Sequence, residues 1–282
     1  MKRLVVASLT VLVLSAIGAG PALASHSWGS YHWAQASTSS PDVGVTLGNN
    51  LTSSRSTNWP ALFKGGASAP LGSPGTVVHD WTNLHLMPLG TGNGFADILD
   101  TPWTTGANVS NPKRCKPKSG RVEVCNARYG FNGWLGVAQI WISGGHIVQG
   151  TAKVNDSYLD SSRYTTVAKQ QVLCQEVGHT FGLDHQDESG NDLDTCMDYA
   201  DAFDNPHPNA HDNQQINAIY SSHTDRSTSS TRIKNGNGRG RVRRLEKDLY
   251  VEQLPGGGKV FTFVTWRNER AADAAPDSSV PE

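Results

Sequence analysis

The chain has 282 residues, 37% of them hydrophobic and 29 of them glycine, which suits one sizeable, loop-rich globular domain with extensions. Its 24 basic and 25 acidic residues give a net charge of −1, a balance that argues against nucleic acid as a general partner. Lys2 and Arg3, the apolar run from Leu4 to Ala19 and the small residues Ala22-Leu23-Ala24 read as a secretory signal peptide over residues 1–24. That run is shorter than the ~20 apolar residues a membrane span needs, and no later stretch is a candidate, so a secreted, monomeric protein with no membrane span is expected. Removing the segment leaves 22 basic residues against 25 acidic, a net charge of −3.

In chain order, Tyr31 to Ala34 opens the folded part, and Val43–Ser53 has the β-branched content of a strand. The stretch TNWPALFKG predicts a short helix, with Pro60 near its first turn and Gly65-Gly66 as its stop. Residues 67–76 and 101–120, rich in Pro, Gly, Ser and Thr, read as loops. Gly133–Asp156 is the clearest hairpin, two β-rich runs around Ser143-Gly144-Gly145. Asn50, Asn108 and Asn155 stand in N-x-S/T sequons and would carry glycans if the host adds them. Export favours disulfides over free thiols. Cys115 and Cys125 flank a predicted turn at Ser119-Gly120, so a local bridge is expected there, which leaves Cys174 with Cys196.

From Thr166 to Phe181 there is no proline and a single glycine, and Leu173, Val177 and Phe181 recur at i, i+4, i+8, the buried stripe of a helix. Gly182 is its expected left-handed stop. Gln175 and His179 share a face of that helix, Glu176 flanks it, and His185 follows just past the glycine. A sharp turn at Gly182 can bring His185 back towards His179, so that two imidazoles converge beside a carboxylate. A catalytic zinc needs such neutral nitrogen ligands, an open position for water and a base for the water's proton.

The segment from Gln175 to His185, with Met197 after it, resembles the metzincin metalloproteases, whose pattern is H-E-x-x-H-x-x-G-x-x-H followed by a methionine turn. The matrixin-like branch is most similar, through GHTFGLDH. The resemblance implies an α+β, zincin-type domain over 25–222 with a mixed twisted sheet, an active-site helix and a Met-turn. It implies Glu176 as general base, His179 and His185 as zinc ligands, Gly182 as the turn glycine and Met197 under the metal. It also implies a peptide or protein substrate, paired along one arm of the 133–156 hairpin. Gln175 departs from the pattern, standing where the family has its first histidine. Three accounts follow. The Gln175 amide oxygen ligates zinc weakly; or His207, His211 or Asp184 completes the site; or the chain is a non-catalytic pseudoprotease that binds peptide or protein. Tyr199 is a further candidate, for a hydroxyl near the oxyanion. Calcium is a second candidate cofactor at the carboxylate-rich loop Asp187–Asp194.

Asp212–Ser222 predicts a second helix, with Ile216, Ile219 and Tyr220 on one face. Residues 223–241 read as a polar linker, and residues 242–267 as a C-terminal β-hairpin around Pro255-Gly256-Gly257-Gly258. That hairpin is too small to stand alone, so it docks on the main domain or on a partner. Residues 268–282 are expected to be disordered.

Overall fold

The structure, a computed structural model, describes residues 27–29, 31–34, 45–66, 72–82, 103–187, 190–199, 202–220 and 240–280. The signal-peptide reading and nearly all of the 223–241 linker lie outside these residues. Within them the chain is α+β, with a nine-stranded mixed sheet and few helices.

The N-terminal half contributes β1 (His32–Trp33), β2 (Thr46–Asn49), β3 (Trp103–Thr105) and β4 (Arg121–Ala127), with helices α1 (Trp59–Lys64) and α2 (Val77–Thr82). The predicted hairpin is present as β5 (Trp134–Ser143) and β6 (His146–Asn155), turning at Gly144 and Gly145, both at positive φ. The expected helix is α4 (Thr166–His179), preceded by the one-turn α3 (Asp156–Leu159) and followed by α5 (Ala210–Tyr220). The C-terminal part forms β7 (Arg241–Arg244), β8 (Leu249–Gln253), β9 (Lys259–Trp266) and α6 (Glu269–Asp273). The strand order is β3-β2-β4-β6-β5-β9-β8-β7, with β1 also paired to β6.

Three expectations are corrected here. Residues 101–120 include β3 and a 3-10 turn at Pro112–Arg114, because β2 offers Trp103–Thr105 a parallel partner that composition does not reveal. The C-terminal hairpin is three strands, and it extends the main sheet rather than hanging from it: β9 pairs antiparallel to β5 from Trp134 to Ile142. The tail expected to be disordered forms α6, capped by Asn268, with Ala272 buried against Trp134, Val137, Tyr250 and Trp266. The three sequons are also closed to glycans in the folded chain: Asn50, Asn108 and Asn155 are all buried and hydrogen-bonded through their amides.

Helix α4 runs through the centre of the core. Thr165 caps it, its hydroxyl accepting from the Ala168 N–H. Sequence predicts one buried stripe, yet the helix is buried nearly all round, because β5, β6 and β9 of the sheet and helices α1 and α2 all pack against it. Its polar residues are therefore satisfied internally. Gln170 Nε2 donates to Gly75 O at 2.8 Å, and Gln171 Oε1 accepts from Asn205 N at 2.8 Å.

Helix α5 is tied to the turn before Met197 by Asp212, whose carboxylate accepts from Thr195 Oγ1 and Asn209 N. Burial raises the Asp212 carboxyl to about 6, against the opposing pull of those hydrogen bonds. A folded-state pKa above the unfolded value of 3.8 means that the folded chain holds the proton more tightly. This contribution to stability is complete below about pH 4 and is lost as pH rises through about 6. Asp212→Asn is accordingly expected to flatten the fall in urea midpoint between pH 4 and pH 7; an unchanged slope would show that Asp212 does not titrate with folding.

Candidate metal and active site

The end of α4 is held by aromatic donors. Trp28 Nε1 donates to His179 O at 3.2 Å, Trp33 Nε1 to Thr180 O at 2.8 Å, and Tyr220 Oη to Phe181 O at 2.6 Å. These bonds satisfy carbonyls that a helix terminus leaves open. Gly182 then turns the chain at φ +100°, where a Cβ would lie 2.6 Å from Tyr31 O. The turn returns His185 to His179, with ring centroids 4.8 Å apart and nearly perpendicular. His179 Nδ1 meets Leu183 O at 2.9 Å. A carbonyl can only accept, so Nδ1 carries the hydrogen of that contact.

Glu176 is fully buried beside them. Its carboxylate lies over β5 at Gly136, where a Cβ would stand 2.3 Å from Oε1. Directly opposite Gly136 in the register is Thr265 of β9, whose hydroxyl donates to Glu176 Oε1 at 2.5 Å. Burial pushes the Glu176 carboxyl up to about 8, partly offset by the Thr265 bond and by His185. A bound divalent cation would reverse that balance. Gly136→Ala is expected to displace the Glu176 carboxylate and cost about 1–3 kcal/mol through overpacking, measurable as a lowered urea midpoint. A neutral result would mean that Glu176 does not occupy this niche.

The C-terminal strands complete the cluster, a contribution the sequence reading missed. Phe263, two residues before Thr265 on the same face of β9, stacks on the His179 ring at 4.1 Å and 10°. Asp248, just before β8, lies 3.0 Å from His185 Nδ1, with both groups almost fully buried. Burial works against the Asp248 charge, but His185, with His179 further off, outweighs it and holds the carboxyl below its ordinary range. The only forward signal in the sequence is an acid at the entry of a predicted hairpin.

The remaining expected residues fall in several places. Gln175 is beside the cluster, and its amide is engaged: Nε2 donates to Asp198 O at 2.7 Å, and Oε1 lies 2.6 Å from Thr265 Oγ1, whose single hydrogen is shared between this oxygen and Glu176 Oε1. Met197 is fully buried and packs against α4 at Gly178, where a Cβ would meet its sulfur at 2.5 Å. The Tyr199 ring lies 5.1 Å from that of His185. His207 is engaged with Asp80 of α2 at 2.7 Å, and Asp184 Oδ1 accepts the His185 N–H. His211 sits in the first turn of α5, its N–H donating to Asn209 Oδ1 at 2.8 Å. Both disulfides are formed, Cys115–Cys125 and Cys174–Cys196. In the loop suggested for calcium, Asp187 accepts from Asn191 and Asp192 from Asn205.

Among the described residues, no three His, Cys, Asp or Glu side chains stand as a ready-made ion cage. The donor chemistry nevertheless fits a zinc-type ion. Two imidazoles and two carboxylates are buried close together. Glu176 Oε2 is buried with no hydrogen-bond partner among the described residues, whereas the Asp248 carboxylate is paired with His185 Nδ1 at 3.0 Å. A buried carboxylate oxygen in the state of Glu176 Oε2 is costly unless a proton or a cation answers it. Among the described residues no helix is long and apolar enough to cross a membrane. Comparison of the chain with known protein families, with curated proteins and with solved structures finds no match.

Proposed function

We propose that this chain is an exported, zinc-dependent peptide hydrolase whose active site is closed over by its own C-terminal strands. The observation that carries the reading is the gathering of Glu176, His179 and His185 in one buried cluster, with Glu176 Oε2 left unsatisfied among the described residues. The resemblance of residues 175–197 to metzincins supports the same assignment. His179 and His185 would hold the ion. Zinc, when bound, supplies a water of lowered pKa and polarises the scissile carbonyl. Glu176 accepts the proton of the attacking water and passes it to the leaving amine. Gly136 leaves the space in which that carboxylate sits.

Strand β9 lies along β5, the side on which an extended substrate would pair, and Thr265 engages the base. Cleavage therefore requires the 240–280 segment to lift. Its burial favours a second reading, a metal-binding protein that does not turn over. Leu249, Tyr250, Val251, Val260, Phe261, Phe263, Val264 and Trp266 are all buried, and each such side chain contributes about 1.5–3 kcal/mol relative to exposure. The test is digestion of a peptide library by the zinc-loaded full chain and by its Glu176→Ala variant. The hydrolase reading expects cleavage by the wild type only, with zinc retained by both. Equal inertness of two zinc-loaded proteins would establish the second reading.

A further inference from the structure

We propose that the cleft at the N-terminal end of α4 is a carboxylate-binding site, which holds an apolar acid such as the free C-terminus of a peptide between Arg163 and Arg267. The proposal is independent of the zinc reading, since the cleft lies at the opposite end of α4 from His179 and His185.

The cleft has a volume of about 330 Å³ and opens between the residues that lead into α4, the 202–204 stretch and the end of β9. Its wall carries the side chains of Arg163 and Arg267, and neither forms an ion pair with a described residue. Thr165, in the same wall, caps a helix of 14 residues, whose N-terminus adds partial positive charge. The independent sign of a ligand is Tyr164. Its side chain lines the cleft and is only 7% exposed, yet its hydroxyl has no hydrogen-bond partner among the described residues. Arg267 Nε is buried and unanswered in the same way. Buried donors left in that state are costly. Burial raises the Tyr164 hydroxyl above its ordinary range, and Arg163 and Arg267 pull against that rise, so both positive charges act on it. The phenol stays a neutral donor, and a carboxylate seated between the guanidiniums would accept from all three groups.

The surroundings select the kind of acid. Arg267 follows β9 directly, and its N–H donates to Gly133 O at 2.9 Å, which fixes where its side chain starts. The guanidinium lies 5.6 Å from the centre of the Tyr158 ring, on which Phe131 packs edge-on at 5.2 Å. Phe131 is 75% exposed, so an open aromatic ledge continues from the arginine. Phe203, also in the wall, meets the Tyr164 ring at 6.3 Å. These rings suit an apolar side chain beside the charge. Asp204 stands in the lining with the two arginines, which leaves a single positive charge over among the described lining residues. That balance matches a monoanion better than a phosphate dianion.

The test is isothermal titration of the full chain, with a chelator present to keep metal off His179 and His185. The probes are N-acetyl-phenylalanine, its amide and inorganic phosphate. The acid is expected to bind with a Kd on the order of 1 mM, as its size allows, and the amide at least about tenfold more weakly. Arg267→Ala should weaken binding of the acid about tenfold, through loss of a charge-assisted hydrogen bond. Tyr164→Phe should weaken it about threefold and leave the urea midpoint unchanged, because the hydroxyl has no partner to lose. Arg163→Ala, an exposed change, replaces Arg267→Ala if circular dichroism shows that the latter does not fold. A wild type that binds the acid no better than the amide overturns the proposal. Full retention of acid binding by Tyr164→Phe and by the arginine variant also overturns it. Phosphate bound more tightly than the acid would make the cleft a general oxyanion site and overturn the carboxylate assignment.

Discussion

Phe263→Ala is expected to destabilise the folded chain by about 3–5 kcal/mol, the cost of emptying a large aromatic site in a core. The ring is fully buried, lies flat on His179, and has Trp28 at 5.6 Å on another side. Its backbone opposes Ala138 of β5 on one side and Leu249 of β8 on the other, so on the β5 side the partner is too small to fill the space. Water admitted there would reach the imidazole and Glu176, and the burial that raises the Glu176 carboxyl would weaken. Urea denaturation gives the energy, and hydrogen exchange along β9 gives its location. Phe131, 75% exposed, is the control: its alanine variant should stay within about 0.5 kcal/mol of wild type. A Phe263→Ala loss below 1 kcal/mol would mean that β9 is not seated on α4.

Removing the Cys174–Cys196 bridge with paired serines is expected to cost about 3 kcal/mol in the chain-entropy picture, for a sequence separation of 22. The bridge joins the residue before Gln175 to the residue before Met197, and Met197 is packed on Gly178 one position from His179. Its loss should therefore weaken zinc binding as well as stability. The Cys115–Cys125 bridge, closing a separation of 10 beside β4, should contribute similar stability without touching zinc affinity. Melting curves and zinc titrations of the two double variants separate these effects. Identical zinc affinities for both would show that the first bridge does not support the site.

Much of this arrangement is legible in local sequence. Helix α4, its stop at Gly182, the 143–145 turn and both cysteine pairings follow from spacing and turn chemistry, which act within a few residues. What is not legible depends on partners far away in the chain. The burial of Gln170, Gln171 and Glu176 requires α2 and β9 to cover faces that a helical pattern leaves polar. The role of Thr265 depends on its register opposite Gly136, and that of Asp248 on the pairing of β8 with β9. A hairpin read alone gives no sign of which edge it will join. Residues 268–280 were too polar to suggest order, yet Ala272 fills a gap behind Trp134 once β9 is in place.

One ion held between α4 and the returning loop is the centre of the proposed site. Zinc K-edge X-ray absorption of the zinc-loaded full chain reads that contact directly. Two imidazole nitrogens with oxygen donors, and no sulfur, are predicted, with the imidazole signal falling by half in His179→Ala. A first shell without imidazole scattering would contradict it.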